Sequence, residues 1–342
     1  MGDWKELDNI PEGNDPTLYK IPKCKIPPHD YDNVFTISSS KQKYGNPTLN
    51  ELCNLLVFHC SEIELLRNKP NIGYYADSGS GLSVHGYRDI HKEDIKHLQG
   101  SILQGVATKS IDFILSSPGG WIEPAAQIIE ILRRKFSQIS MLLPGSTYSA
   151  ASMIALCGNE IIMESFTGHM APINPRINGF DTYVAKQIYW EAKIYSWIAP
   201  WSLKHLNEAR VLDNGVTMKT LKGAEKFVKK TMVNTLAKYV FQIDKLSLFE
   251  KIKMKYKVIK IVNFMADFKN HLIHTYPLMP KKLKTIGIPA RNAEAKLDVQ
   301  LRIIRNICED ITLSRWDNGQ SGFYVRKVFF SGKDCYTLGY VP

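Results

Sequence analysis

Short apolar runs of strand length alternate with helical patterns through the middle of this chain. Residues 110–117, 139–143 and 160–164 are the apolar runs, and residues 122–136 and 146–158 between them have the length and apolar spacing of helices. Strands that are joined through a helix usually run parallel, because the helix returns the chain to the end of the sheet where the first strand began. Such crossovers are right-handed. The alternation therefore predicts an α/β fold with a mainly parallel sheet.

The pattern divides the chain into three predicted segments. Residues 1–70 are interpreted as an irregular arm followed by an amphipathic helix over 47–68. Residues 71–290 hold the alternating core. Residues 291–342 are interpreted as a C-terminal extension, with a last helix and a terminal hairpin that turns at 331–333.

The net charge of +11 is concentrated in one stretch of the chain. Residues 219–260 carry 12 lysines against three acidic residues, which leaves +9. Apolar residues recur there at helical spacing, and no nucleic-acid-binding fingerprint accompanies them. The stretch is predicted to form solvated helix faces, and binding to nucleic acid is the less favoured alternative.

The chain begins with a polar, acidic segment and contains no run of about 20 apolar residues. Neither a secretory signal nor a transmembrane helix is predicted, so a soluble, cytoplasmic protein is expected. The six cysteines form no CxxC pair, which argues against a zinc knuckle and a disulfide framework. No metal or other cofactor is predicted, since no phosphate-binding loop of the GxxxxGK type occurs either.

Two features suggest a catalytic site. One is a predicted strand that ends in Ser-Ser-Pro-Gly-Gly, at 116–120, and the other is Ser149, 29 residues after Gly120. Glycines just past a strand let backbone N–H groups approach a ligand closely. A serine that opens a helix lies near the positive end of the helix dipole. Together they supply an attacking hydroxyl and oxyanion donors, although an ordinary turn and an N-cap would use the same residues.

Five blocks in order carry a family resemblance. They are residues 116–120, 144–161, 168–176, 274–278 and 286–289. In this combination the chain resembles the serine dehydrogenase proteinase family of the Clp-protease/crotonase superfamily, which is related to the signal peptide peptidases. The resemblance implies a spiral of ββα units, with active sites that face inward in a homo-oligomer.

The resemblance also implies a set of site residues. Ser149 would be the nucleophile in preference to Ser152, since the spacing from Gly120 and to the end of the following helix fits the family from Ser149. The oxyanion hole would be formed by the backbone N–H of Gly119 or Gly120 and that of Ala150. The family normally has glycine where Ala150 stands, and alanine keeps the N–H donor but narrows the pocket.

The proton acceptor is less clear in the sequence. The resemblance to signal peptide peptidases favours a lysine, whose pKa burial would lower towards neutrality. Lys186 is the first candidate and Lys193 the next, while His274 matches a family motif and would be a base or a structural residue. His169 lies a few residues before the position at which Clp subunits have their histidine, and Asn174 lies close to that position.

The function implied is that of a serine peptidase, which hydrolyses a peptide or protein substrate through an acyl-enzyme. The alternative is a catalytically inactive scaffold or partner-binding protein of the same fold. A second alternative, an acyl-CoA enzyme of the crotonase type, would need carboxylates near the site, and Glu123 and Glu160 are only loosely placed for that role.

Many family members carry an N-terminal membrane helix; the amphipathic helix at 47–68 suggests recruitment to a membrane surface or a protein partner instead.

Overall fold

The computed structural model describes residues 17–20, 47–76, 88–99, 103, 106–173, 176–177, 180–181, 218–266, 271, 275–317 and 322–340. The helices in these ranges are α1 (Leu49–Arg67), α2 (Lys92–His97), α3 (Ile122–Lys135), α4 (Ala150–Ala155), α5 (Met218–Thr235), α6 (Leu248–Ala266), α7 (Pro280–Thr285) and α8 (Ala295–Leu313). The strands are β1 (Thr17–Lys20), β2 (Asn71–Ala76), β3 (Ser110–Ser116), β4 (Gln138–Leu143), β5 (Ser146–Thr147), β6 (Glu160–Met163), β7 (His169–Met170), β8 (Arg176–Ile177), β9 (Phe180–Asp181), β10 (Ala290–Asn292), β11 (Arg315–Asp317), β12 (Gly322–Ser331) and β13 (Cys335–Tyr340).

Nine of the described strands form one sheet in the order β1-β13-β12-β2-β3-β4-β6-β10, with β11 paired to β12. The five strands from β2 to β10 run parallel to one another. The remaining strands join antiparallel at the β2 side. The predicted α/β fold with a mainly parallel sheet is therefore confirmed.

Both faces of the parallel strands are covered, so neighbouring residues of one strand belong to different layers of the core. In β3, Phe113 and Leu115 pack in the cluster that includes α3 and α4, whereas Ile114 packs in the cluster of α1 and α8. Burial on both faces explains why these strands are continuous apolar runs in the sequence, without the alternation of a half-exposed sheet.

Helix α1 begins with a capping box, because the Thr48 hydroxyl accepts from the backbone N–H of Glu51 while the Glu51 carboxylate accepts from the N–H of Thr48. The helix packs against α8 and β12. Its side chains Leu52, Leu56 and Ile63 are buried in that contact. The apolar side of the predicted amphipathic helix thus faces the protein core.

The segment 146–158 differs from its prediction as one helix. Ser146 and Thr147 form β5, which pairs with β7, and α4 begins only at Ala150. The small, apolar residues there satisfy a helical pattern equally well, and only the tertiary pairing with β7 separates the strand from the helix.

The terminal hairpin, predicted as part of an extension, is built into the central sheet. Strand β12 pairs antiparallel with β2, with Lys327 opposite Ala76 and Phe330 opposite Gly73. A Cβ added to Gly73 would lie 2.0 Å from the Phe330 ring, so only glycine permits this approach. The strands of the predicted core and of the predicted extension therefore share one sheet.

Candidate active site

Three loops meet at the carboxyl end of the parallel strands. The loop after β3 is joined to the loop after β4 by two 3.0 Å hydrogen bonds, from Ser117 N to the Ser146 carbonyl and from Tyr148 N to the Ser117 carbonyl. The segment after β6 joins them through Ala171 N, which donates to the Thr147 carbonyl at 3.0 Å. Sites of open α/β sheets lie at this edge, where the strands end.

Ser149 stands at the strand-to-helix turn in a strained conformation. Its φ is +50° and its ψ is −117°, a combination that costs a non-glycine residue roughly 1–3 kcal/mol. The side chain is half-buried and makes no capping hydrogen bond to α4. An ordinary N-cap would show that hydrogen bond. The turn has the form of a nucleophile elbow, which presents a serine hydroxyl at the top of a sheet.

The glycine turn lies directly against Ser149. Gly119 has a φ of +101°, and a Cβ added there would meet the Tyr148 carbonyl oxygen at 2.7 Å, the Ser149 Cβ at 2.9 Å and the Ala150 nitrogen at 3.2 Å. No side chain fits in that space. The structure thus brings together Gly119, Ser149 and Ala150, which the sequence places 30 residues apart.

The hydrogen bonds of the turn distinguish its two glycines. The N–H of Gly119 donates to the Ser117 hydroxyl at 3.2 Å, and the carbonyl of Gly119 accepts from Ile90 N at 2.7 Å. Because the peptide is trans, the N–H of Gly120 points away from Ile90. Among the described residues, neither this N–H nor that of Ala150 has an acceptor. These two donors remain available to a ligand.

We expect a methyl group at Gly119 to disrupt this turn. Gly119→Ala should lower the free energy of unfolding by about 1–3 kcal/mol, because its Cβ would collide with the Tyr148 carbonyl at a φ that disfavours alanine. Gly223→Ala is the matched control: Gly223 lies inside α5 with nothing within 4 Å of an added Cβ, so the change should stabilise by about 1 kcal/mol. Urea unfolding of both variants measures the two effects, and equal effects would contradict the role given to Gly119.

Ser152, the other serine considered, is completely buried. Its hydroxyl donates to the Thr147 carbonyl at 2.6 Å and accepts from Ala171 N at 3.2 Å. It thereby ties α4 to β5 and to the residue after β7. Cysteine offers no second nucleophile nearby in the described part of the chain. Cys157, just past the C-terminal end of α4, is buried, and burial raises the pKa of its thiol to about 11.

His169 is the titratable residue that the fold brings beside the serine turn. It belongs to β7, and its Nε2 lies 3.1 Å from the hydroxyl of Tyr148, the residue before Ser149. Its Nδ1 lies 2.7 Å from the Thr167 carbonyl, which only accepts hydrogen bonds, so Nδ1 carries the proton when the ring is neutral. Nε2 then holds a lone pair that accepts from Tyr148.

The turn before His169 is fixed by Glu164. One carboxylate oxygen accepts from the backbone N–H and the hydroxyl of Thr167, each at 2.6 Å, and the other accepts from Arg302 Nε at 3.1 Å. Burial alone would raise the pKa of Glu164, but these hydrogen bonds outweigh burial and hold the pKa below its ordinary value. Glu164 therefore stays ionised and keeps the loop that leads to His169 in place.

The two carboxylates considered for crotonase chemistry lie elsewhere. Glu160 is the first residue of β6, at the amino end of the sheet, where its Oε1 accepts from Arg67 at 3.0 Å and from Ser140 at 2.8 Å. Arg67 also binds the buried Asp112 at 2.9 Å. Glu160 thus belongs to a structural network at the opposite end of the strands from Ser149. Glu123 is exposed in the first turn of α3, after the glycine turn.

The remaining predicted site residues lie outside the described residues. These are Lys186, the first candidate for the base, the alternative Lys193, and His274. Asn174 is also outside them. Their roles stay predictions.

The family model described as ClpP-like SDH-type serine proteinase matches residues 72–193. Over this segment the chain is similar to ClpP-like serine proteinases. The ClpP-like segment contains Ser149, the glycine turn, His169 and Lys186, whereas His274 lies beyond it. This similarity to serine proteinases supports a peptidase role.

Two proteins of Methanocaldococcus jannaschii, both described as uncharacterised, are similar to the chain. One is 25% identical over 208 residues, which cover 60% of this chain and 61% of the relative. The other is 26% identical over 118 residues, which cover 34% of this chain and 38% of the relative. The chain thus spans about three fifths of one relative and two fifths of the other. No solved structure gives a significant match.

Proposed function

We propose that the protein is a serine peptidase with Ser149 as its nucleophile. The observation that carries the proposal is the strained serine turn packed against Gly119, with two backbone N–H groups beside it that have no acceptor among the described residues. Strain of this kind persists where function requires it. The match of residues 72–193 to the model of a serine proteinase family supports the same reaction class.

In the proposed reaction the Ser149 Oγ attacks the carbonyl carbon of a peptide bond while its proton passes to a base. The N–H groups of Gly120 and Ala150 donate to the oxyanion of the tetrahedral intermediate. Since the N–H of Gly119 is already bonded to Ser117, Gly120 is the donor that we assign. The base returns the proton to the leaving amine as the C–N bond breaks, and water then cleaves the acyl-enzyme.

Three residues are candidates for the base. His169 has the required lone pair at Nε2, and its tautomer is fixed by Thr167. Nε2 is hydrogen-bonded to Tyr148, so the Tyr148 hydroxyl would have to turn aside or relay the proton. Lys186 and His274 remain the alternatives from the sequence. We also propose a homo-oligomer, the arrangement implied by the resemblance.

A fluorophosphonate probe tests the proposal directly. The purified full chain should react with the probe, and mass spectrometry should place the adduct on Ser149, because only an activated serine attacks the reagent at a useful rate. His169→Gln and Lys186→Gln identify the base, since loss of the base should slow labelling by about 10²–10⁴-fold. Absence of labelling across the pH range from about 6 to 10 would favour the inactive scaffold.

The inactive scaffold is the second candidate function. It is favoured by one specific observation: in the described part of the chain, the Ser149 hydroxyl makes no hydrogen bond to a histidine or a lysine. Catalytic hydrogen bonds often tighten only when substrate binds, so this geometry does not outweigh the strained turn.

A further inference from the structure

Helix α6 exposes a stripe of large apolar side chains. The stripe consists of Leu248, Phe249, Ile252, Tyr256 and Ile259, whose exposed fractions are 78%, 79%, 63%, 73% and 50%. At 3.6 residues per turn these positions fall on one face of the helix, within an arc of about 100°. Single exposed apolar residues are ordinary on a protein surface, but a contiguous row of five is not.

The stripe is not the face that holds α6 to the protein. Val258, Ile261, Val262 and Met265 are buried in the core cluster and lie on a different side of the helix. Helix α6 therefore keeps its position through these residues, and substitutions in the stripe leave its attachment to the core intact.

Lysines border the stripe on both sides. Lys253 and Lys260 follow it along one edge and Lys251 and Lys255 along the other, by the same helical geometry. Within the described residues none of the four forms an ion pair. The one acidic residue of α6, Glu250, is occupied at the helix start by the backbone N–H and hydroxyl of Ser247.

The neighbouring helix adds to the positive charge. Helix α5 packs against α6 and carries five further lysines. Its lysines 222, 226, 229 and 230 line a surface depression of about 470 Å³. The pair of helices α5 and α6 therefore carries a strong excess of positive charge, which attracts anions.

We propose that the α6 stripe and its bordering lysines bind the surface of an anionic lipid bilayer. A helix of this kind lies in the interface, with its apolar side chains at the boundary of headgroups and acyl chains. The lysines reach outwards to the anionic headgroups. An anionic bilayer would thus contact both the apolar stripe and the lysines.

Two other occupants fit less well. Nucleic acid would neutralise the lysines but leave five apolar side chains against phosphates and water. A second copy that met this face through a two-fold axis would bury the stripe but bring lysines against lysines. The proposal is independent of the peptidase function, because it uses no residue of the candidate active site.

Cosedimentation of the full chain with phosphatidylcholine vesicles, with and without 30 mol% phosphatidylserine, tests the proposal. Binding is expected only to the vesicles with phosphatidylserine and should weaken with added salt. A variant with Lys253, Lys255 and Lys260 changed to Gln should bind on the order of 100-fold more weakly, at about fivefold per lysine. The same change at the exposed lysines 281, 284 and 296 is the matched control and should leave binding unchanged.

Phe249→Ser combined with Tyr256→Ser, the stripe variant, should also abolish cosedimentation, whereas Leu65→Ser, at an exposed leucine of α1, should not.

Equal binding by the stripe variant and the original chain would overturn the proposal. Absence of vesicle binding would overturn it in favour of an acidic protein partner. A change in oligomeric mass of the stripe variant without lipid would overturn it in favour of a second copy, and a light-scattering measurement decides that point.

Discussion

Replacing Ser149 with glycine is expected to abolish fluorophosphonate labelling and peptide hydrolysis while making the protein more stable. The hydroxyl is the proposed nucleophile, so turnover should fall on the order of 10³-fold or more. The stability gain follows from the φ of +50° and ψ of −117°. Release of roughly 1–3 kcal/mol of strain, less the 0.5–1 kcal/mol that a glycine costs in chain entropy, leaves a gain of about 1 kcal/mol.

Two further substitutions separate these effects. Ser149→Ala should be equally inactive without the gain in stability, because alanine at this position keeps the strain. Ser152→Ala should still be labelled at Ser149. It should lose stability by about 0.5–1.5 kcal/mol, because the buried hydrogen bond from the Ser152 hydroxyl to the Thr147 carbonyl is lost, while Ala171 N keeps that carbonyl as its acceptor. Probe labelling and urea unfolding measure the two properties in each variant. Labelling of Ser149→Ala at Ser152 would overturn the choice of nucleophile.

The second large effect is expected from Lys327, a lysine that is only 2% exposed. Its Nζ lies 2.8 and 2.9 Å from the two oxygens of the buried Asp94 and 2.6 Å from the Asp89 carbonyl. The Tyr74 hydroxyl also donates to Asp94, at 3.0 Å. Lys327→Met should lower the free energy of unfolding by about 3–5 kcal/mol, because it leaves a buried carboxylate without its cation.

The matched control is Lys333→Met, at an exposed lysine in the turn of the same hairpin, which should change stability by less than about 0.5 kcal/mol. Adding Asp94→Asn to Lys327→Met removes the unpaired charge and should restore part of the loss. Urea unfolding at neutral pH measures all three variants. A double variant no more stable than Lys327→Met alone would contradict an electrostatic origin of the loss.

Lys327→Met should also slow probe labelling at Ser149. Lys327 holds the Asp89 carbonyl, and the next residue, Ile90, exchanges hydrogen bonds with the glycine turn through Gly119 and Trp121. A shift of this segment moves the proposed oxyanion donor Gly120. Labelling that is unchanged under conditions where the variant is fully folded would show that the turn keeps its position without Lys327.

Much of the fold could be predicted from the sequence, because the parallel strands are buried on both faces. The apolar runs around Phe113, Met141 and Ile162 are continuous, and they give a strong strand pattern. The short strand Ser146–Thr147 gave no such pattern, since two small residues before a helix fit either structure. Its pairing with His169–Met170 is a tertiary contact that no local pattern contains.

The candidate site was predictable in part. Ser149 and the glycines stand in a recognisable order in the sequence, and the structure places Gly119 against Ser149, while their catalytic roles stay predictions. The place of His169 beside Tyr148 depends on the β5–β7 pairing. In the sequence alone, His169 lies a few residues before the position at which Clp subunits have their histidine. Lys327 could not be predicted, because a lysine in a strand is normally exposed and its partner Asp94 lies 233 residues away.

The pairing of β12 with β2 determines when the central sheet can be completed during synthesis. Lys327 lies opposite Ala76, about 250 residues later in synthesis. At a synthesis rate of roughly 5–20 residues per second, the edge of β2 remains without its partner strand β12 for about 10–50 s. During that time its unpaired N–H and C=O groups are open to other nascent chains. We therefore expect this protein to complete its sheet only once β12 has left the ribosome, and to depend on chaperones that shield an unfinished edge.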